Sequence, residues 1–207
     1  MSERTEHVNG EHPVRFAVDY PDRELDRLTT AFRIFTVIPI GVILGLLSGG
    51  GSGQAAAAGG LLAAPTLLML VFRQKYPRWW FDWNVAFTGF SYRVTAYLLL
   101  LRDEYPSSDE EQAVHLVLPY PDARLELNRW LPLVKWLLAI PHYIVLAVLG
   151  LAVFVCVIFA WFAILFTGRY PVALFDFVVG VLRWSLRVSA YAFILNVDTY
   201  PPFRLSE

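Results

Sequence analysis

The sequence contains little cysteine and little charge. Its one cysteine, Cys156, excludes an intrachain disulfide framework and a zinc site that needs several thiolates. Charged residues make up 17% of the 207 residues and hydrophobic residues 57%, whereas a soluble domain has about 25% and about 45–50%. The formal net charge is −1, so no overall basic field attracts nucleic acid. This composition favours a small polytopic membrane protein.

Motifs for catalysis and for cofactor binding are also missing. The glycine-rich residues 48–54 lack the Lys-Ser/Thr of a phosphate loop, so we interpret them as a linker. The histidines lack ligand-like spacing, and we expect His142 to be a hydrogen-bonded structural residue. The long apolar stretches contain no acidic residue, which weakens the case for an ion-coupled transporter. We therefore expect no catalytic residue, no cofactor and no metal.

Two long stretches are nearly free of charge. The first predicts membrane spans at about 32–48 and 55–72, separated by the glycine-rich linker. The second covers 136–167 and would be roughly 48 Å long as one helix, more than a hydrocarbon core of about 30 Å. We favour a hairpin turning at 149–150, with spans at about 133–149 and 151–167. The alternative is one long helix kinked at Pro141. Because residues 1–31 lack the apolar stretch of a signal peptide, we expect the first span to be uncleaved.

The two halves of the chain resemble each other. Residues 14–22 align with residues 114–122 at an offset of 100, and Tyr76-Pro77 aligns with Tyr170-Pro171 at an offset of 94. We divide the chain into a polar tail (1–12), repeat 1 (13–106), a linker (107–112) and repeat 2 (113–203). The alternating segments 14–18 and 114–118 are expected to form strands that pair in a small sheet.

Several motifs together resemble a known family. The Tyr-Pro-Asp opening, the Arg-Tyr-Pro…Leu-Phe-Asp-Phe block at 169–177, the Arg-Trp-x-x-Arg-Val-x-Ala-Tyr block at 183–191 and the closing Asp-x-Tyr-Pro-Pro-Phe at 198–203 are similar to a bacterial membrane family known as domain of unknown function 4389. The resemblance extends over nearly the whole chain and suggests two tandem copies. It implies a membrane location and no particular activity.

The basic residues predict the orientation. None of the 17 lies in the two predicted hairpin tips, and Lys and Arg beside spans stay on the cytoplasmic side. We therefore expect a multi-pass protein of the bacterial inner membrane, with both termini cytoplasmic. The fold class is mainly α. Two parallel repeats each contain a transmembrane hairpin and an interfacial amphipathic helix, with short cytoplasmic β-strands.

The predicted interfacial helices are residues 79–101 and 172–195. Each has arginine near its middle, and an arginine at a bilayer centre costs about 2.5–3.5 kcal/mol. Trp79, Trp80, Trp83 and Trp184 are expected to anchor these helices at the headgroup level. The polar positions fall on one face of each helix. They are Asp82 and Arg93 in the first helix and Asp176, Arg183 and Arg187 in the second.

Two roles are open for these polar stripes. Asp82 could pair with Arg187 and Asp176 with Arg93, which would join the repeats or bind an anionic lipid headgroup. Alternatively, the arginines snorkel to lipid phosphates and each aspartate caps or starts its helix.

We expect a non-enzymatic accessory, scaffold or lipid-contacting subunit of a membrane complex. Its partners would be membrane lipids and other membrane protein subunits, with no nucleic acid. A small transporter or channel between the repeats is the alternative, and a lipid-active interfacial enzyme ranks third.

Overall fold

The computed structural model describes residues 12–47, 55–108, 110 and 112–206. The predicted hairpin tip at 48–54 and nearly all of the polar tail lie outside these residues. In the first half the elements are β1 (Arg15–Val18), α1 (Arg27–Ala31), α2 (Arg33–Thr36), α3 (Ile38–Leu47), α4 (Ala55–Arg73) and α5 (Arg78–Leu98). In the second half they are β2 (Val114–Val117), α6 (Pro132–Leu138), α7 (Ile140–Thr167), α8 (Val172–Ser189) and a π-helical turn (Ala190–Ile194).

The predicted pairing of the two short strands is confirmed. β1 and β2 form an antiparallel sheet in which Arg15 lies opposite Val117 and Val18 opposite Val114. Side chains alternate between the faces of a strand, so Phe16 is buried while Arg15 faces solvent. The buried face packs against the long helices, where the rings of Phe16 and Tyr92 have centroids 5.1 Å apart.

The predicted hairpin at 149–150 is wrong. α7 continues through Gly150 as one helix of 28 residues, about 42 Å long at 1.5 Å per residue. A lone glycine costs a helix only about 1 kcal/mol, and no proline or polar turn residue stands beside Gly150 to end the helix. The alternative prediction, one long helix kinked at Pro141, agrees better with the structure. The helical segment is interrupted at Ala139, between α6 and α7, and not at Pro141. Pro141 occupies the first turn of α7, where proline is tolerated.

α7 and α8 form an antiparallel helical pair. Gly168 ends α7 in the left-handed conformation with φ 74°, and the chain turns back into α8 after residue 171. Near the far end of the pair, the rings of Tyr143 and Phe193 stack with centroids 6.0 Å apart. Among the described residues, two helices are long and apolar enough to cross a membrane, namely Ile140–Thr167 and the continuous segment Val172–Ile194.

The remaining predicted helices are present. The segment expected at 55–72 is α4, and those expected at 79–101 and 172–195 are α5 and α8 with its π-helical turn. The segment expected at 32–48 is divided into α2 and α3.

Unusual backbone conformations recur at equivalent positions in the two halves. Leu100 (φ 65°) follows α5 and Leu195 (φ 61°) follows the π-helical turn, 95 residues later. Gln74 (φ 45°) follows α4 and Gly168 (φ 74°) follows α7, 94 residues later. Because residues with side chains seldom adopt positive φ, the pair of Leu100 and Leu195 is the more specific of these two similarities.

Candidate functional site

Each half encloses one cation at the start of its apolar helical segment. Arg33 is 2% exposed and donates to the carbonyl oxygens of Tyr97, at 2.9 Å, and of Arg102. Its guanidinium carbon lies 4.2 Å from the centroid of the Tyr97 ring. A charge removed from water must be compensated by such groups. Arg33 therefore fastens α2 to the end of α5.

Lys135 occupies the equivalent place in the second half and is fully buried. Its Nζ donates to the carbonyl oxygen of Val197 at 2.6 Å, lies 2.7 Å from Oδ1 of Asp198, and is 5.0 Å from the centroid of the Tyr191 ring. Burial lowers the pKa of Lys135, and the Asp198 carboxylate opposes this shift. Lys135 thus fastens α6 to the segment after α8.

An aspartate lies near the enclosed cation in each half, Asp103 near Arg33 and Asp198 beside Lys135. Asp103 accepts from Nη2 of Arg23 at 2.8 Å and from the backbone N–H of Asp26 at 3.3 Å. In the second half, Asp198 accepts from the backbone N–H of Asn128 at 2.6 Å. The sequence analysis missed the enclosed cations. The signal that could have found them is a lone cation before an apolar run, present in both halves six residues before an aligned proline.

Two reciprocal hydrogen bonds join the halves. The Tyr20 hydroxyl donates to the carbonyl oxygen of Tyr170 at 2.5 Å, and the Tyr120 hydroxyl donates to that of Tyr76 at 2.6 Å. In each case the Tyr-Pro-Asp turn of one half contacts the Tyr-Pro turn of the other. Burial raises the pKa of both Tyr76 and Tyr170, which fits their place inside these joints.

The structure places the two arginines of the predicted α8 stripe against the chain's own backbone. Arg187 is 2% exposed and donates to the carbonyl oxygen of Ser206 at 2.9 Å. Arg183 donates to the carbonyl oxygens of Phe16 at 2.9 Å and Leu205 at 3.1 Å. The interpretation that Arg187 snorkels to lipid phosphates is therefore wrong. Backbone carbonyls of β1 and of the last described residues take the place of the expected phosphates.

The predicted pairs between the stripes are not formed among the residues that the structure describes. Asp82 instead pairs with Arg78, one turn before it, at 3.2 Å. Arg93 donates to the carbonyl oxygen of Ser107 at 3.0 Å, and Asp176 is exposed. Neither aspartate caps its helix, because the residues at the N-caps of α5 and α8 are prolines.

The four predicted tryptophan anchors fall into two groups. Trp79 is 70% exposed, Trp83 is exposed, and Trp80 donates to Oγ1 of Thr66 at 2.8 Å. Trp184 is 5% exposed, so its prediction as an anchor is wrong. It lies in the core and donates to Nδ1 of His142 at 3.1 Å. This bond confirms His142 as a hydrogen-bonded structural residue.

A broad apolar surface lies outside these contacts. Along α7 many large side chains are exposed, and Phe166 reaches 78%. Apolar residues of α2 and α3 are exposed as well. The exposed residues of α7 include Ile144, Val148, Leu151, Phe154 and Phe159, and those of α2 and α3 include Ile34, Phe35, Val42 and Leu46. Contiguous apolar patches of this kind mark membrane or protein contacts.

Within the described ranges, no group of three or more His, Cys, Asp or Glu side chains could hold a metal ion. The two enclosed cations, the reciprocal tyrosines and the arginines of α8 all donate to backbone carbonyls of the chain itself. These contacts hold its elements together.

Part of the chain matches a family model. No curated protein and no solved structure matches the chain. Residues 130–204, which contain α6, α7, α8 and the closing Tyr-Pro-Pro-Phe, match the family model of the domain of unknown function DUF4389 in a single copy.

Proposed function

We propose that the protein is a non-enzymatic integral membrane protein that serves as a lipid-contacting scaffold or accessory subunit of a membrane complex. The observation that carries the proposal is the exposed apolar surface of α7, a helix of 28 residues without a charged side chain. If this surface were exposed to water, it would promote aggregation, whereas the hydrocarbon of a bilayer would solvate it. The match to DUF4389 agrees with this proposal but adds no activity.

The proposal includes an internal duplication, with a second copy of the family unit in the first half. It is supported by the equivalent enclosed cations, Arg33 and Lys135, and by the reciprocal hydrogen bonds of Tyr20 and Tyr120. The left-handed leucines, Leu100 and Leu195, add a third correspondence. The two copies differ in their apolar segment, which is one helix in the second half and is divided between α3 and α4 in the first.

The position of the sheet favours α5 and α8 lying parallel to the membrane surface. Arg183, near the middle of α8, holds the backbone of β1, and Tyr92 of α5 contacts Phe16. If these helices crossed the bilayer, the exposed pair of Asp19 and His115 would lie in hydrocarbon together with the sheet edges. Both charges and unpaired strand edges are costly there. With α5 and α8 at the interface, α7 lies on their hydrocarbon side.

We further propose that the sheet side faces the cytoplasm of a bacterial cell. Lysine and arginine are absent from α3 and α7, and cations beside membrane segments remain on the cytoplasmic side. His12 lies near Arg187, and Ser206 accepts a hydrogen bond from the same residue. Both ends of the described chain are therefore on one side of the molecule, which supports a cytoplasmic position for both termini.

Affinity purification in a mild uncharged detergent tests the accessory role. We expect the protein to stay in the membrane fraction after carbonate washing and to purify with one or more defined membrane proteins at constant stoichiometry. A monodisperse protein without stable partners would contradict the accessory role, and release by carbonate would contradict the membrane location.

Cysteine labelling tests the orientation of α7. In a Cys156→Ala background, Leu125→Cys places a thiol before α6 and Arg169→Cys places one after α7. Leu151→Cys, on the exposed apolar surface of α7, is the control that hydrocarbon would cover. We expect an impermeant maleimide to reach residues 125 and 169 from the cytoplasmic side alone, and residue 151 from neither side. Labelling of 125 and 169 from opposite sides would show that α7 crosses the membrane.

A further inference from the structure

We propose that a cavity beside the end of α4 binds the phosphate ester of an anionic lipid headgroup. The cavity has a volume of about 930 Å³ and lies between the end of α4 and the Tyr120-Pro121-Asp122 turn. One wall comes from residues of the first half and the other from residues of the second, across the hydrogen bond from Tyr120 to Tyr76. The lipid source of the phosphate rests on the proposed membrane location.

Three cations line this cavity without an ionic partner among the described residues. They are Arg73, Lys75 and Arg124, and all three side chains are exposed. Cations held together in this way favour an anion that can accept from several of them at once. A phosphate ester offers several acceptor oxygens, and arginine binds such groups in a bidentate manner.

The acidic residues of the cavity are engaged by their own backbone. Oδ1 of Asp122 accepts from the N–H groups of Arg124 and Leu125, at 2.9 and 3.2 Å. Oε2 of Glu126 accepts from the N–H of Asp122 at 2.9 Å. These bonds hold the carboxylates in a local turn. The three cations of the lining outnumber these two carboxylates.

The surroundings of the cavity suit a lipid better than a free anion. Arg73 closes the last turn of α4, and the neighbouring Phe72, which also lines the cavity, is 71% exposed. Trp79 and Trp83 begin the next helix and are exposed as headgroup anchors would be. A headgroup in the cavity would thus have its acyl chains beside apolar side chains. Basic pockets at this level of a membrane protein are typical sites for anionic headgroups.

An equivalent cavity in the other joint provides an internal control. It is smaller, about 340 Å³, and is lined by Tyr20, Pro21, Asp22, Arg23, Arg169 and Tyr170 among others. Arg23 is already paired with Asp103 at 2.8 Å, and Arg169 is the second cation of the lining. Among the described residues this cavity therefore has fewer cations without an ionic partner than the larger one.

Native mass spectrometry of the purified full chain in an uncharged detergent tests the proposal. The probes are short-chain phosphatidylglycerol, short-chain phosphatidylcholine and glycerol 3-phosphate. The test variant is Arg73→Gln/Lys75→Gln/Arg124→Gln. The control is Arg23→Gln/Arg27→Gln/Arg169→Gln, which removes the same charge and includes the exposed Arg27.

We expect phosphatidylglycerol to bind better than phosphatidylcholine and better than glycerol 3-phosphate. The test variant should weaken phosphatidylglycerol binding on the order of a hundredfold, while the control changes it less than about threefold. Equal binding of the two lipids, or equal losses in both variants, would overturn the site. Equal binding of glycerol 3-phosphate would overturn the lipid source. Both variants should stay in the membrane fraction, so failure of the site is distinguishable from failure of the proposed function.

Discussion

At the scale of single residues, the enclosed cations are charges removed from water, which is costly unless other groups compensate them. Lys135 is fully buried, and its charge is compensated by the carbonyl of Val197, the carboxylate of Asp198 and the ring of Tyr191. Breaking a buried pair leaves an uncompensated charge and is more damaging than losing an exposed pair. The sequence contains the cation but does not reveal this burial, because the compensating groups are about sixty residues away.

We predict that Lys135→Met lowers the free energy of unfolding by about 3 kcal/mol. The substitution leaves the Asp198 carboxylate and the Val197 carbonyl without their donor, which is why the loss exceeds that of an exposed charge. Thermal unfolding in an uncharged detergent measures the difference. The control Arg27→Met removes an exposed cation and should change stability by less than about 0.5 kcal/mol. Equal effects of the two substitutions would contradict the enclosed role of Lys135.

At the scale of elements, helical periodicity placed α5 and α8 correctly but not the partners of their arginines. The spacing of Asp176, Arg183 and Arg187 is helical, as predicted. The two arginines donate to backbone carbonyls of β1 and of residues 204–206. Carbonyls are present at every residue and leave no trace in composition, so the sequence could not single them out. The burial of Trp184 was not predicted either, because it depends on a contact with His142, a residue distant in the sequence.

α7 continues through Gly150, the residue at which the sequence predicts a turn. A Cβ atom added to Gly150 would meet no other atom within 4 Å. We predict that Gly150→Ala raises the free energy of unfolding by about 0.5–1 kcal/mol, because alanine favours the helix. Thermal unfolding measures this gain.

The matched substitution Gly168→Ala should have the opposite sign. Gly168 has φ 74°, and an added Cβ would lie 2.9 Å from Oε2 of Glu24. We expect a loss of about 1 kcal/mol or more. Destabilisation by Gly150→Ala of a similar size would indicate a turn at 149–150 and contradict the single helix.

At the scale of the whole molecule, the halves are held together at two separated joints. Tyr20 contacts the turn after α7, and Tyr120 contacts the turn after α4. The similarity of the halves could be recognised from the ordered Tyr-Pro motifs. That each turn contacts the other half, and not its own, could not be recognised, because a motif does not specify which copy supplies its partner.

We predict that Tyr20→Phe and Tyr120→Phe each lower the free energy of unfolding by about 1 kcal/mol. The double variant should show the sum of the two losses, since the joints share no partner and lie far apart. Thermal unfolding of the two single variants and the double variant measures this. Tyr105→Phe, which alters an exposed tyrosine, is the control and should be neutral. A loss confined to one of the two joints would contradict their equivalence.

Each of the two tyrosine hydrogen bonds connects one half of the chain to the other, and this has a consequence for how such a chain could arise. A half-length polypeptide would carry both the donor turn and the acceptor turn, but it could not satisfy one with the other in this geometry. Two such polypeptides would satisfy both bonds by associating about a two-fold axis, as in an isologous dimer. Under the proposed duplication, the present chain would correspond to two such polypeptides joined into one.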